Sequence, residues 1–313
     1  ARLPLPPRFK PGQIFDGLRI DEVLHDSRTT LLYQVTDQLS GRQLVLKTLR
    51  PELADDAEEI RALIMEEWRT RRVVSPFFAQ LVPAENRSCL YFLQAWYEGA
   101  TLQRMLDADL HFTVADAVQH GIRLMKGLTA LHRLDVVHRD IKPANIHIGR
   151  DGHLRILDLG VALSLSEDES PPGNPGTPSY MAPELLAGDK VGTAHDLYAA
   201  GVTLYHLLTR KYPYGEIEPF QHPRFAEPVP PTRYRPDIPG WLENVVLKSV
   251  ARDPAQRFET AEEFLLALER GANRPLNRPP VTPLAMRNPL LTWRIIAGVS
   301  LLLNLFLLVL LTR

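Results

Sequence analysis

Short apolar runs with a period near two fill the first hundred residues. Segments 17–24 (GLRIDEVL), 30–37 (TLLYQVTD), 43–49 (QLVLKTL) and 89–96 (CLYFLQAW) are β-prone and are separated by turn residues such as Ser40-Gly41. Between the third and fourth, from about Asp55 to Val74, the pattern becomes helical. Past residue 101 it stays so, as in ADAVQHGIRLMKGLTALHRL and TAEEFLLALER. Strands first and helices later predict an α+β protein of two lobes, with no internal repeat.

The C-terminal stretch has no polar face. From Ile295 to Leu311 nothing is charged, and only Gly298, Ser300 and Asn304 interrupt the apolar run. Extended to residues 293–312 it would make about 30 Å of helix, the thickness of a bilayer's hydrocarbon. A single transmembrane helix is expected there, with Trp293 and Arg294 at the interface. The competing reading is a buried core helix, which would normally keep a polar side. Arg270, Arg274, Arg278, Arg287 and Arg294 precede the span and only Arg313 follows it. The positive-inside rule then holds everything before the span in the cytoplasm, anchored to the inner membrane. Asn304 suits a bond to a second copy, hence a homodimer, or is a polar residue tolerated in lipid.

Composition sharpens the boundaries. The chain has 27 prolines in 313 residues, about 9% against a usual ~5%. They gather in a lead-in at 1–14 (opening ARLPLPPRFKPG), expected to be unstructured, in later loops, and in an extended linker at 271–292. The chain opens on alanine, which suits a piece of something longer. With 36 basic and 37 acidic residues, the net charge of −1 offers no general field for nucleic acid. A single cysteine, Cys89, excludes an intrachain disulfide framework and reads as core packing.

The chemistry concentrates in His138-Arg139-Asp140-Ile141-Lys142-Pro143-Ala144-Asn145. A carboxylate, then an ammonium two residues on and an amide five residues on, can accept a hydroxyl proton, neutralise phosphate and ligate a cation. Asp158-Leu159-Gly160 follows the strand-like HLRIL and adds a second metal-binding carboxylate. Upstream, Lys47 ends the apolar run Leu44-Val45-Leu46, and Glu66 on the next helix is its natural ion-pair partner.

Over about residues 15–270 these motifs resemble a eukaryotic-like Ser/Thr protein kinase of bacteria. Lys47 in LVLK, Glu66, HRDIKPAN, DLG, GTPSYMAPE, DLYAAG and DPAQRF occur in the family's order. The resemblance implies a bilobal protein-kinase fold, with a β-rich N-lobe over 15–97 and a helical C-lobe over 98–270. It implies ATP with Mg2+, or Mn2+ in its place, as cofactors. Asp140 would act on the substrate hydroxyl, Lys142 on the γ-phosphate, Lys47, paired with Glu66, on the α- and β-phosphates, and Asn145 and Asp158 on the metal. Leu24, Ser27, Thr30 and Leu32 would cover the nucleotide, with Gln94 as gatekeeper and Ala95, Trp96 and Tyr97 as hinge. Thr177 would shape the peptide site. Glu184 with Arg257 is read as a structural ion pair, and Asp196 as a scaffold for the HRD backbone. His138 and Leu159 read as packing, and His195 and His206 as ordinary histidines.

One part departs from the family. The phosphate loop's three glycines would fall on His25, Ser27 and Thr30. Glycine lets backbone N–H groups approach phosphate; here Ser27, Thr29 and Thr30 offer hydroxyls and Arg28 a charge. The glycine-poor loop, Glu66-Glu67-Trp68 and the terminal span resemble bacterial kinases fused behind a type 2C phosphatase domain. Ser164, Ser166 and Ser170 are candidate autophosphorylation sites in the activation loop, with Arg139 as a phosphate receptor; a merely solvated acidic loop is the alternative. The expectation is a membrane-anchored Ser/Thr kinase of unknown protein substrate. A pseudokinase scaffold competes with it, and a small-molecule kinase is a more distant third reading.

Overall fold

The computed structural model describes residues 3–84, 87–164, 177–188, 190–217, 225–273 and 276, and then 293, 294, 296, 297 and 300. The chain divides into two units, residues 1–276 and 277–313. Among the described residues no helix is long and apolar enough to cross a membrane. The expected span over 293–312 and the linker over 271–292 lie largely outside them.

Within the first unit, β1 (Ile14–Phe15), β2 (Leu18–Asp26), β3 (Thr30–Asp37), β4 (Gln43–Leu49), β5 (Leu81–Val82) and β6 (Phe92–Ala95) form one sheet. Its order is β1-β2-β3-β4-β6-β5, antiparallel throughout. The period of two decides the faces. Leu31, Tyr33, Val35, Leu44 and Leu46 enter one apolar cluster, which leaves Leu32 and Lys47, paired in register, on the other face. Helix α1 (Ala57–Arg72) starts where Asp56 accepts the Glu58 and Glu59 N–H groups. It buries Ile60, Leu63, Glu66 and Thr70 along one stripe, and its basic last turn (Arg69, Arg71 and Arg72) suits the helix dipole. Cys89 is half-buried against the sheet's apolar cluster.

The lead-in differs from the expectation. Leu3 and Leu5 pack on the cluster that holds Ile60, Leu63 and Leu90, and Phe9 is buried with Phe15 and Tyr33. Pro4 O accepts the Leu90 N–H at 2.7 Å. The prolines stiffen an extended strap whose apolar side chains face the lobe, so composition alone misread it as unstructured.

The second lobe contains β7 (Gly99–Thr101), α2 (Leu102–Asp107), α3 (Val114–His132), β8 (Val136–Val137), β9 (Ile146–Gly149), β10 (Leu154–Ile156), β11 (Leu163–Ser164), α4 (Pro183–Leu186), α5 (Thr193–Thr209), α6 (Gly240–Ser249) and α7 (Ala261–Arg270). Thr113 and Asp116 cap α3 reciprocally, and α5 is buried along nearly all its length. The chain passes between lobes beside β7, which pairs with β9. Gly99 sits there at φ +147°, where a Cβ would stand 2.1 Å from Ile148 O.

Candidate active site

Lys47 projects from β4 into the cleft and is 7% exposed. A buried ammonium requires partners, and it has two: Glu66 Oε1 at 2.6 Å and Asp158 Oδ1 at 3.1 Å. Burial opposes the lysine's charge, but the two carboxylates outweigh it and raise its pKa above the usual range. Between the carboxylates the proton affinity divides. Burial, aided by Asp158, pushes Glu66 up to about 7 despite Lys47. Asp158 stays well below the ordinary range: burial works against it, but Lys47 and the Gly160 N–H prevail.

Asp158 has φ +61° and accepts the Gly160 N–H at 2.9 Å. A Cβ on Gly160 would meet Asp158 Oδ1 at 2.9 Å and Glu66 Oε2 at 3.1 Å, so only glycine closes this turn without displacing both carboxylates. Just upstream, Leu157 O accepts the His138 Nε2–H at 2.9 Å, and His138 Nδ1 accepts the Asp140 N–H at 3.3 Å. His138, expected only to pack, is a hydrogen-bonded bridge between the two segments.

The loop after β8 carries the other groups. Asn145 Nδ2 donates to Asp140 O at 2.8 Å and to Asp140 Oδ2 at 2.9 Å. Lys142 Nζ lies 2.7 Å from Asp140 Oδ2 and donates to Thr177 Oγ1 at 2.9 Å. The loop is strained at Arg139, a non-glycine at φ +72°. Asp196, fully buried, holds it by accepting the His138 and Arg139 N–H groups at 2.8 and 2.9 Å. Burial disfavours the charge of Asp196, yet His132, with Nε2 at 2.9 Å, and His138 keep its pKa lowered. The role of His132 had no signal in the sequence. Arg139 is itself buried, and burial with the nearby Arg69 charge lowers its pKa.

A cavity of about 320 Å3 connects Lys47, Glu66 and Asp158 to the β2–β3 hairpin, where Ser27, Thr30 and Leu32 line it; Asp140, Lys142 and Asn145 do not. Here His25 contributes; Leu24, half-buried on β2, does not line it. In the hairpin, Ser27 Oγ accepts the Thr30 N–H at 2.9 Å and the Thr29 N–H at 3.3 Å. The serine side chain thus occupies amides that a glycine loop leaves open. Gln94 and Ala95 lie on β6 opposite Val45 and Leu44, and Trp96 and Tyr97 follow as the link between lobes. Glu184 and Arg257 form a two-point pair at 2.6 and 2.8 Å, as expected. Ser164 lies on β11 opposite Val136; Ser166 and Ser170 fall outside the described residues.

The donor set suits a hard divalent cation. With Asn145 Nδ2 committed to Asp140, its side-chain carbonyl oxygen is the atom left for a metal, and the backbone O of Asn145 accepts the N–H of Leu157, the residue before Asp158. Among the described residues no cluster of three or more His, Cys, Asp or Glu could hold a metal alone. Such a site fits an ion that completes its shell with phosphate and water.

A buried lysine bridging two carboxylates, and a loop carboxylate beside an ammonium and an amide, are the groups a phosphotransfer site uses. The family model described as the protein kinase domain matches residues 28–265, and the chain belongs to that family, whose members use ATP and a divalent metal. A probable serine/threonine-protein kinase of Streptomyces coelicolor is 30% identical over 273 residues, covering 83% of this chain and 40% of that protein. The serine/threonine-protein kinase PrkC of Bacillus subtilis is 30% identical over 240 residues, covering 74% and 37%. The chain thus spans about two fifths of the length of these relatives. The crystal structure of the Mycobacterium tuberculosis PknI kinase domain superposes with a TM-score of 0.65 at 25% identity, covering 85% of this chain and all of that one.

Proposed function

We propose that this chain is a Ser/Thr protein kinase that transfers the γ-phosphoryl group of ATP to protein hydroxyls with Mg2+, or Mn2+ in its place. The carrying observation is the closed Lys47–Glu66 pair, with Asp158 joined to it, together with Asp140 bonded by Lys142 and Asn145 on the loop after β8, which His138 bridges to Leu157 beside Asp158. Lys47 holds the α- and β-phosphates. Asp140 orients the substrate hydroxyl and accepts its proton as the oxygen bonds to the γ-phosphorus. The bond to the β–γ bridging oxygen breaks and ADP leaves, while Lys142 meets charge on the transferred group. Asn145 and Asp158 would hold a divalent ion, which when bound would supply charge to neutralise the phosphates. The relatives' names support serine and threonine as acceptors.

A second reading, a pseudokinase scaffold, is favoured by one observation: the hairpin amides are bonded to Ser27. Radiolabelled ATP with Mg2+ and a generic basic protein separates the two. The 313-residue chain should label it, and Lys47→Met and Asp140→Asn should not. Equal labelling by all three, or none by a folded parent, rejects the enzyme.

Membrane attachment through 293–312, with the kinase in the cytoplasm, belongs to the same proposal, supported by the uncharged run and the arginines before it. Release of the chain from membranes by alkaline wash would reject it. Homodimerisation through Asn304, a type 2C phosphatase domain preceding residue 1, and autophosphorylation at Ser164, Ser166 or Ser170 rest on the sequence. Phosphopeptide mapping of an active preparation tests the last; an unmodified loop ends it.

A further inference from the structure

The β2–β3 hairpin is fastened from outside. Arg50, the residue after β4, donates its N–H to Thr29 O at 2.8 Å, its Nε–H to Ser27 O, and Nη2 to Asp26 Oδ1. The other oxygen of Asp26 accepts Arg8 Nη1 at 3.0 Å. Arg8 belongs to the N-terminal strap, where the neighbouring Phe9 is buried and its N–H faces Tyr33 Oη at 3.3 Å. One carboxylate thus joins the end of β2 to two guanidiniums, each rooted in a different packed segment.

We propose that Arg50, with Arg8 acting through Asp26, is a positioning residue that fixes the hairpin over the nucleotide's phosphates. This rests on the kinase reading and goes beyond it. A glycine loop moulds itself to phosphate through its amides; this hairpin has turned two of them inward onto Ser27. What it presents to the cavity includes the hydroxyls of Thr29 and Thr30, since the Ser27 hydroxyl is turned back to donate to Thr30 O at 3.2 Å. Hydroxyl contacts are short-ranged and directional, so their worth depends on the hairpin's height above Lys47. Arg50 sets that height: its planar fork bonds a backbone carbonyl and a carboxylate together, as lysine cannot. The side chains of Arg50 and Asp26 are 28% and 38% exposed, so the clamp adds little to global stability. Its effect falls on the hairpin's position.

The test titrates a fluorescent ATP analogue with Mg2+ into the 313-residue chain and its variants, beside phosphotransfer kinetics and thermal melting. Arg50→Ala should weaken nucleotide binding about tenfold, with kcat within about twofold and the melting temperature nearly unchanged. Arg50→Lys should recover only a small part of the loss. Asp26→Asn and Arg8→Ala should have smaller effects, and adding Asp26→Asn to Arg50→Ala should bring no further loss. Unaltered nucleotide affinity in Arg50→Ala overturns the proposal, as does full recovery by lysine. A parent that binds nucleotide but transfers nothing sinks the kinase reading while the affinity ratios still judge the clamp. A folded parent that binds none sinks both.

Discussion

Lys142 Nζ stands 2.7 Å from Asp140 Oδ2 and also donates to Thr177 Oγ1 at 2.9 Å. One ammonium therefore joins the catalytic loop to the segment beside it, where a peptide would lie. Because the contact aligns the acceptor hydroxyl with Asp140, loss of the Thr177 bond should appear in turnover and peptide KM rather than in nucleotide binding. Lys142→Ala should lower kcat by about 10²-fold or more. Thr177→Val should raise the peptide KM several-fold, with ATP affinity unchanged. Initial-rate kinetics with each substrate varied would show this, and a change confined to ATP would contradict it.

Asp196 accepts two consecutive amides, from His138 and Arg139, with Arg139 in a left-handed conformation. Asp196→Ala should leave two buried N–H groups unpaired and His132 without its partner. A loss of about 2–4 kcal/mol is expected, together with a fall in kcat greater than destabilisation accounts for, since Asp140 follows Arg139 directly. Denaturant unfolding and activity on the folded fraction give the two parts. A variant that melts early but turns over normally would mean that Asp196 braces the lobe without setting the loop.

The legibility of this site follows how local each arrangement is. Lys47, Asp140, Asn145 and Asp158 stood out because their chemistry requires fixed residue types at short spacings; Lys47 and Asp158 line the cavity, and Asp140 and Asn145 bond each other on the loop after β8. The Glu184–Arg257 pair was readable only through family order, since 73 positions separate the partners. His132 and the Arg8–Asp26–Arg50 clamp left no trace, because exposed or helical charged residues look alike until the fold brings them together. The strap was misread for the opposite reason. Prolines dominate its composition, whereas Leu3, Leu5 and Phe9 decide its packing.

Glu66 gives the nucleotide-free protein a pH signature. Burial, aided by Asp158, pushes its pKa up to about 7, against an ordinary 4.5. The folded state therefore holds a proton that the unfolded chain has lost between these values. The stability this contributes is complete below about 4.5 and disappears as pH rises through about 7. Glu66→Gln removes the titration and keeps an acceptor for Lys47. Melting temperatures from pH 5 to 8 should fall for the parent relative to the variant as pH increases. Parallel curves would remove Glu66 as the titrating group.

The Glu184–Arg257 pair should behave as a structural brace with no part in nucleotide binding. The Arg257 side chain is fully enclosed and that of Glu184 is 13% exposed. Besides the carboxylate, the guanidinium donates to Ala251 O at 2.6 Å and Arg252 O at 3.1 Å, and it lies over the Tyr198 ring. Arg257→Ala strands a nearly buried carboxylate whose next cation candidate is His195, with Nε2 at 3.6 Å. Breaking such a pair costs about 3–5 kcal/mol, equivalent to a fall in melting temperature on the order of 10 °C for a lobe of this size. Arg257→Met with Glu184→Leu should regain part of it, since an apolar pair avoids the stranded charge. Below its melting point, Arg257→Ala should keep the parent's KM for ATP, because these groups lie apart from Lys47 and the cavity lining. Calorimetry with kinetics at 15–20 °C decides it: a shifted ATP KM with an unchanged melting temperature would make the pair part of the nucleotide site instead.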